Sequence, residues 1–170
     1  MHGEPSVARQ LGEALRERDE TIAVAESCTG GLLGSTITGV PGASDYFVGG
    51  IISYTNRTKR RFLAVSRELL ERYGAVSEQV ATAMARHARD EAGADWGVST
   101  TGYAGSAPDS ATAPAGTVFV GVANAGRGPD SDPFTQVERH RFDGTRNEVR
   151  NRAVTRTLRT TLAHVRDGSR

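Results

Sequence analysis

Ser27, Cys28 and Thr29 stand together ahead of Gly30 and Gly31 in the stretch Thr21 to Gly31, T-I-A-V-A-E-S-C-T-G-G. A hydroxyl and a thiol are both candidate nucleophiles here, but each is weak until a base or a neighbouring charge removes its proton. None of the four histidines (His2, His87, His140, His164) is close to this stretch in sequence. The remaining bases are Lys59 and the phenolate of Tyr54, at opposite ends of Y-T-N-R-T-K. Lys59 is the sole lysine, every other side chain in the Lys+Arg count of 21 being arginine. An ammonium can lose its proton when burial or positive neighbours lower its pKa, whereas a guanidinium cannot. A bias toward arginine with one lysine left by chance explains the same count. A Ser27/Lys59 pair requires the lysine pKa to fall from about 10.4 to roughly 7–8, and Arg57, Arg60 and Arg61 could contribute by repulsion. With no histidine to generate a thiolate, Cys28 ranks below Ser27. Equally open is a solvated basic patch at R-T-K-R-R for phosphate or RNA. Glu26 either orients a substrate or simply ends a strand.

The flanking elements give these residues a common address. Thr21 to Ala25 reads as a buried strand, and apolar spacing resumes at Leu32, Leu33 and Ile37, so the polar turn is a strand-to-helix junction. Such a junction sets Ser27 at the carboxyl edge of a sheet and turns the amides of Gly30 and Gly31 outward at a helix N-terminus, where anions bind. An ordinary structural turn has the same spacing. Val48 to Tyr54 reads as a second buried strand, with Gly49 and Gly50 allowing close backbone approach. It runs into the polar segment Thr55 to Arg61. Leu63, Leu69, Leu70 and Tyr73 mark one helix ending at Gly74, and Ser77 caps another reaching about Ala92. Ala81, Ala85 and Ala88 make that helix flat enough to lie on a sheet or on a twin subunit, so a homodimer is expected. Trp96 to Thr101 and Gly116 to Asn124 read as strands, and Phe134 to Phe142 completes a hairpin around the turn Ala125 to Pro133. An opening helix, Pro5 to Arg18 with Pro5 at its first position, and a closing one capped by T-R-N-E complete the chain. This order predicts an α/β fold: a three-layer α/β/α sandwich with a mixed, mainly five-stranded sheet, folded as a single domain over 1–170.

Charge and composition exclude several classes. The net charge is +1, which provides no global field for nucleic acid. No apolar run approaches the roughly 20 residues that span a bilayer, and the N-terminus lacks the order of a signal peptide. A cytoplasmic protein with no membrane partner is expected. A single cysteine and dispersed histidines argue against a disulfide, and no metal or cofactor is expected.

Two further segments carry polar density. Gly102 to Gly116, G-Y-A-G-S-A-P-D-S-A-T-A-P-A-G, is longer than a connection needs and could wall a substrate or form a lid. Arg146, in the first turn of the last helix, opposes the helix dipole unless it co-binds an anion with the backbone amides. Arg150, one turn on, shares that ambiguity, and a solvated arginine explains either.

A-E-S-C-T-G-G, S-Y-T-N-x-x-K, G-A-V-S-E at Gly74 to Glu78 and F-D-G-T-R-N-E-V-R closely resemble the CinA C-terminal domain family over roughly Val7 to Leu162. Stand-alone members of that family are nicotinamide mononucleotide deamidases. The resemblance implies an α/β/α serine/lysine amidohydrolase that converts the carboxamide to a carboxylate and ammonia without metal, acting on a small-molecule pyridine nucleotide. By motif, Ser27 would be the nucleophile, Lys59 the general base and Tyr54 an aid to proton relay. Thr29, Gly30 and Gly31 would lie near the developing oxyanion, and Arg146 would meet the phosphate. Glu26, Cys28, Asn56, Gly102, Ala104 and Gly105 fall in motif positions expected to line the substrate. The third loop departs from the family pattern: Ser106 stands where a proline is usual, and Ala107 to Ala111 lacks a glycine pair. An alternative implied by that departure is a binding or regulatory module with little or no turnover.

Overall fold

The computed structural model describes residues 6–127 and 131–168. In chain order its elements are α1 (Val7–Glu17), β1 (Ile22–Glu26), α2 (Leu32–Thr38), a 3-10 turn (Ala43–Asp45), β2 (Phe47–Ile52), α3 (Asn56–Leu63), α4 (Arg67–Tyr73), α5 (Glu78–Ala92), β3 (Trp96–Gly102), β4 (Thr117–Asn124), β5 (Phe134–Arg141) and α6 (Arg146–Asp167). The sheet order is β2-β1-β3-β4-β5. β1 is parallel to β2 and β3, and β3, β4 and β5 form an antiparallel meander. The expected mixed five-stranded sheet is therefore found.

Strand periodicity explains the layers. Ile22 and Val24 of β1 point into one apolar cluster, with Leu11 and Leu15 of α1, Leu33 and Ile37 of α2 and Leu158 of α6. Ala23 and Ala25 point into the other, with Leu63 of α3, Leu70 of α4 and Val80 and Met84 of α5. All five residues of β1 are buried, as a strand covered on both faces must be. None of the described helices is long and apolar enough to cross a membrane.

Several details differ from the sequence expectation. The helix expected from Leu63 to Tyr73 is two helices broken at Ala64, whose φ of 44° is left-handed. The segment Thr55 to Arg61 is itself helical, because Thr55 and Thr58 form a reciprocal capping box. β2 is a sheet edge with Val48 and Ile52 exposed, rather than a buried strand. Of the two glycines expected to allow close approach, Gly49 has open space where a Cβ would lie, whereas a Cβ on Gly50 would sit 2.8 Å from Val24 Cγ2; close approach of a helix backbone occurs at Gly97 and Gly121. A Cβ on Gly97 would sit 2.0 Å from the Ala85 carbonyl, and one on Gly121 2.9 Å from that of Ala81. The alanine face of α5 is thus used against its own sheet, with Ala81, Ala85 and Ala88 buried, and does not serve a twin subunit. Pro5 and residues 128–130 of the β4–β5 turn lie outside the described residues; Ser6 is the N-cap of α1.

Candidate active site

Because β1, β2 and β3 run parallel, their carboxyl ends share one edge, with Glu26 paired to both Ile52 and Thr100. Two backbone bonds extend the pairing past the strand ends: Ser27 N donates to Thr100 O at 2.9 Å and Ser53 N to Glu26 O at 2.8 Å. The loops carrying Ser27, Ser53–Tyr54 and Tyr103 onward therefore leave the sheet together.

Lys59 reaches this edge from α3. The Thr55 cap starts the helix so that Lys59 and Leu63, one turn apart, form its buried face. Lys59 is 1% exposed, and its Nζ lies 2.7 Å from Ser27 Oγ, 2.6 Å from Ser53 O and 3.4 Å from Tyr54 O. No carboxylate contacts it among the described residues. Burial without a counter-ion lowers its pKa from 10.5 to about 8. In the neutral amine, two N–H bonds serve the two carbonyls, which can only accept, and the lone pair is left facing Ser27 Oγ. That is the geometry of a general base against a nucleophile.

Cys28 is not equipped for the same role. Its side chain packs with Ala104, Val118, Val120, Val149 and Ala153, and burial pushes its thiol up to about 12. At neutral pH it is an inert thiol, and only its backbone faces other uses.

Glu26 is 1% exposed and turned back into its own loop. Its Oε2 accepts from Thr29 Oγ1 (2.6 Å), Gly31 N (3.0 Å) and Leu33 N (3.0 Å), and its Oε1 from Gly34 N (2.8 Å). The start of α2 is thus occupied by an internal carboxylate, with Gly31 at a φ of 97° to wrap around it. Gly30 N donates to Ser27 O. The amides of Gly30 and Gly31 therefore do not point outward as expected, and Glu26 does not face a substrate. Thr29 is fully buried, its hydroxyl bound to Glu26 and accepting from Thr100 Oγ1 at 2.7 Å. The amides of Cys28 and Thr29 donate to no protein oxygen among the described residues.

Of the remaining expected residues, Tyr54 supplies a carbonyl to Lys59 rather than its phenol. Tyr54 is 63% exposed, and its phenol hydrogen-bonds to neither Ser27 nor Lys59 among the described residues, so the expected relay is absent from this geometry. Asn56 is exposed at the start of α3. Gly102 ends β3, and Ala104 joins the cluster around Cys28. Gly105 lies against Arg146, whose guanidinium would be 2.9–3.0 Å from a Cβ there. The third loop is pinned at its neck by Tyr103 N to Thr117 O (2.9 Å) and Gly116 N to Tyr103 O (2.6 Å).

Three further residues contribute, of which Arg150 was left open by the sequence and Ser53 and Thr100 were given no role. Arg150 donates from Nη2 to Thr29 O at 2.8 Å, joining α6 to the nucleophile loop; its position one turn after Arg146 was the available signal. The Ser53 carbonyl belongs to the S-Y-T-N motif. Thr100 carries no local signal, since only the pairing of β3 with β1 brings it here. Arg150 thus meets the first loop and Arg146 the third.

The chain matches the model of the CinA C-terminal domain over residues 4–165. It is 43% identical over 165 residues to a CinA-like protein of Chlorobium limicola, covering 97% of this chain and 38% of that protein. With a CinA-like protein of Synechocystis sp. it shares 50% identity over 121 residues, 71% of this chain and 29% of that protein. The chain thus spans about a third of the length of the curated relatives it matches. Among solved structures, a competence or damage-inducible protein from Enterobacter asburiae superposes with a TM-score of 0.87 at 31% identity, covering 95% of this chain and 99% of that one. A competence-damaged protein (CinA) superfamily protein from Escherichia coli gives 0.83 at 33% identity, covering 94% and 88%. The match over nearly the whole chain, with the same fold, means that this chain belongs to the CinA C-terminal domain family.

Proposed function

We propose that this chain is a metal-independent amidohydrolase, a nicotinamide-nucleotide amidase that converts nicotinamide mononucleotide to nicotinate mononucleotide and ammonia. The observation that carries the reading is the buried 2.7 Å contact between Ser27 Oγ and the Nζ of the chain's one lysine. Neutral Lys59 takes the Ser27 proton as Oγ attacks the carboxamide carbon. The amides of Cys28 and Thr29, which no backbone oxygen accepts from among the described residues, receive the oxyanion of the tetrahedral intermediate. The Lys59 ammonium then protonates the leaving nitrogen, ammonia departs, and a Ser27 acyl ester remains. Water, deprotonated by Lys59, hydrolyses that ester. Arg146 and Arg150 hold the 5′-phosphate at the mouth, with Gly105 leaving room for the guanidinium. The whole chain acts as one amidohydrolase domain in the cytoplasm, and a homodimer, if formed, uses the exposed apolar strip of Val48 and Ile52 on β2.

The test is ammonia release from nicotinamide mononucleotide by the purified chain. Turnover is expected, with loss in Ser27→Ala and in Lys59→Arg. No release, or release undiminished in both variants, overturns the proposal. Calorimetric binding of the mononucleotide without turnover would instead support the alternative of a binding module, which the altered third loop favours.

A further inference from the structure

The basic run R-T-K-R-R contributes Lys59 to the site, and its three arginines remain unexplained by it. Arg57, Arg60 and Arg61 are exposed on α3 and, with Ala64, Val65, Ser66 and Arg67, line an open cleft of about 610 Å³. No acidic residue lines it. Some arginines elsewhere have carboxylate partners, as in Arg9–Glu13, Arg16–Asp45, Arg18–Glu20 and Arg127–Asp95, while others, such as Arg139, Arg141 and Arg159, form no ion pair among the described residues. Arg57, Arg60 and Arg61 have no ion pair or hydrogen-bond partner among the described residues, and only Arg67 is paired, with Glu71.

Helix electrostatics explains half of this cluster. Arg60 and Arg61 occupy the last turn of α3, where cations are favoured. Arg57 and Arg67 lie in the first turns of α3 and α4, where cations are disfavoured. Arg67 is offset by Glu71, but the three unpaired guanidiniums around the same concavity, Arg57 among them against the local dipole, repel one another unless an anion lies between them. The walls also have a fixed shape. Ala64 turns the chain at a φ of 44°, and the amides of Ala64 and Val65 both donate to the Lys59 carbonyl. The cleft floor is thereby tied to the backbone of the buried lysine while remaining on the opposite, exposed side of α3.

We propose that this cleft is a second anion site, separate from the Ser27 cleft, that binds a compact polyanion of the di- or triphosphate class. Guanidinium forks match phosphate oxygens in pairs, so a chain of two or three phosphates engages several arginines where one phosphate engages one or two. The four arginines lie within residues 57–67, a short reach that suits such a group, free or as the tail of a nucleotide, better than an extended polymer.

Calorimetric titration of the whole chain with sodium tripolyphosphate at about 0.15 M salt tests this independently of any hydrolysis. Binding is expected, weaker by about tenfold for orthophosphate and for Arg57→Gln/Arg60→Gln/Arg61→Gln. Arg146→Gln, which alters the separate site beside the Ser27 loop, should retain the binding that the triple variant loses. Adenosine triphosphate in a parallel arm tells a free polyphosphate from a nucleotide tail, and binding of either supports the site. Absence of binding, or equal loss in Arg146→Gln, overturns the proposal. So does tighter binding of a single-stranded RNA oligonucleotide with a steep salt slope. If the triple variant melts early, Arg60→Glu alone serves, and unchanged binding there is an overturning result.

Discussion

Thr29 donates its hydroxyl proton to Glu26 across 2.6 Å, so the residue two places after the nucleophile is tied to the one just before it. With the amides of Gly31, Leu33 and Gly34 on the same carboxylate, the loop is wound around a buried anion. Ser27 sits where that winding sets it. Glu26→Gln puts an amide NH2 against at least one N–H donor, and leaving a buried donor unpaired costs about 1–3 kcal/mol. We expect a melting temperature lower by several degrees. If the proposed reaction holds, kcat falls about tenfold or more with KM little changed, since the loop and not the substrate is disturbed. Thermal denaturation and steady-state kinetics check both, and a KM effect alone would return Glu26 to the substrate.

The pH dependence follows from Lys59. Its ammonium is disfavoured by burial, with a pKa near 8 against 10.5. The amidase rate should rise with pH through a midpoint near 8, and Lys59→Arg should lose roughly 10²–10⁴-fold at every pH, because a guanidinium cannot accept the proton. A rate flat across pH 7–9 would exclude Lys59 as the titrating base.

The same shift is a stability statement with a definite sign. The folded pKa of about 8 lies below the unfolded value of 10.5, so between them the unfolded chain holds the extra proton and stability rises with pH. The penalty, about 3 kcal/mol at most for a shift from 10.5 to about 8, is present below pH 8 and relieved by about 10.5. Lys59→Met lacks the group. Chemical denaturation at pH 7 and pH 10 should show the unaltered chain gaining on this variant at the higher pH, and a constant difference would mean that the folded lysine titrates normally.

These relationships were unevenly legible in the sequence. Period-2 strands and glycine-closed turns gave the sheet, and two motifs gave the Ser27/Lys59 pair. Helix α3 escaped notice because its buried face is Lys59 and Leu63, so half of its inward signal is a charge and hydrophobic periodicity cannot register it. The direction of Glu26 was equally hidden. A carboxylate at a strand end can face outward or fold into the following turn, and only the positions of three amides downstream decide. Thr100 and the third-loop contact between Gly105 and Arg146 are matters of sheet order and helix placement, which local pattern does not specify.

Cys28 should be dispensable to chemistry. Its thiol is pushed up to about 12 by burial in an apolar cluster, leaving almost no thiolate at neutral pH. Cys28→Ala should keep the rate within a few-fold and lose about 1 kcal/mol of stability from the missing sulfur. The folded chain should react with maleimide far more slowly than the unfolded one. Fast labelling that also stops turnover would restore Cys28 as the nucleophile.

On the proposed reaction, Arg146 and Arg150 should separate recognition from chemistry. Arg150 is anchored on Thr29 O at 2.8 Å, whereas Arg146 rests against the backbone of Gly105 and is exposed. A charge-assisted bond to phosphate is worth about 1.5–3 kcal/mol, so Arg146→Ala should raise KM for the mononucleotide about 10–100-fold with kcat nearly intact. The riboside, which lacks the phosphate, should be processed equally by both proteins. Arg150→Ala should lower kcat as well, because it also releases the loop that carries Ser27. A loss in Arg146→Ala of the same size for nucleotide and riboside would mean that the arginine serves the third loop and not the phosphate.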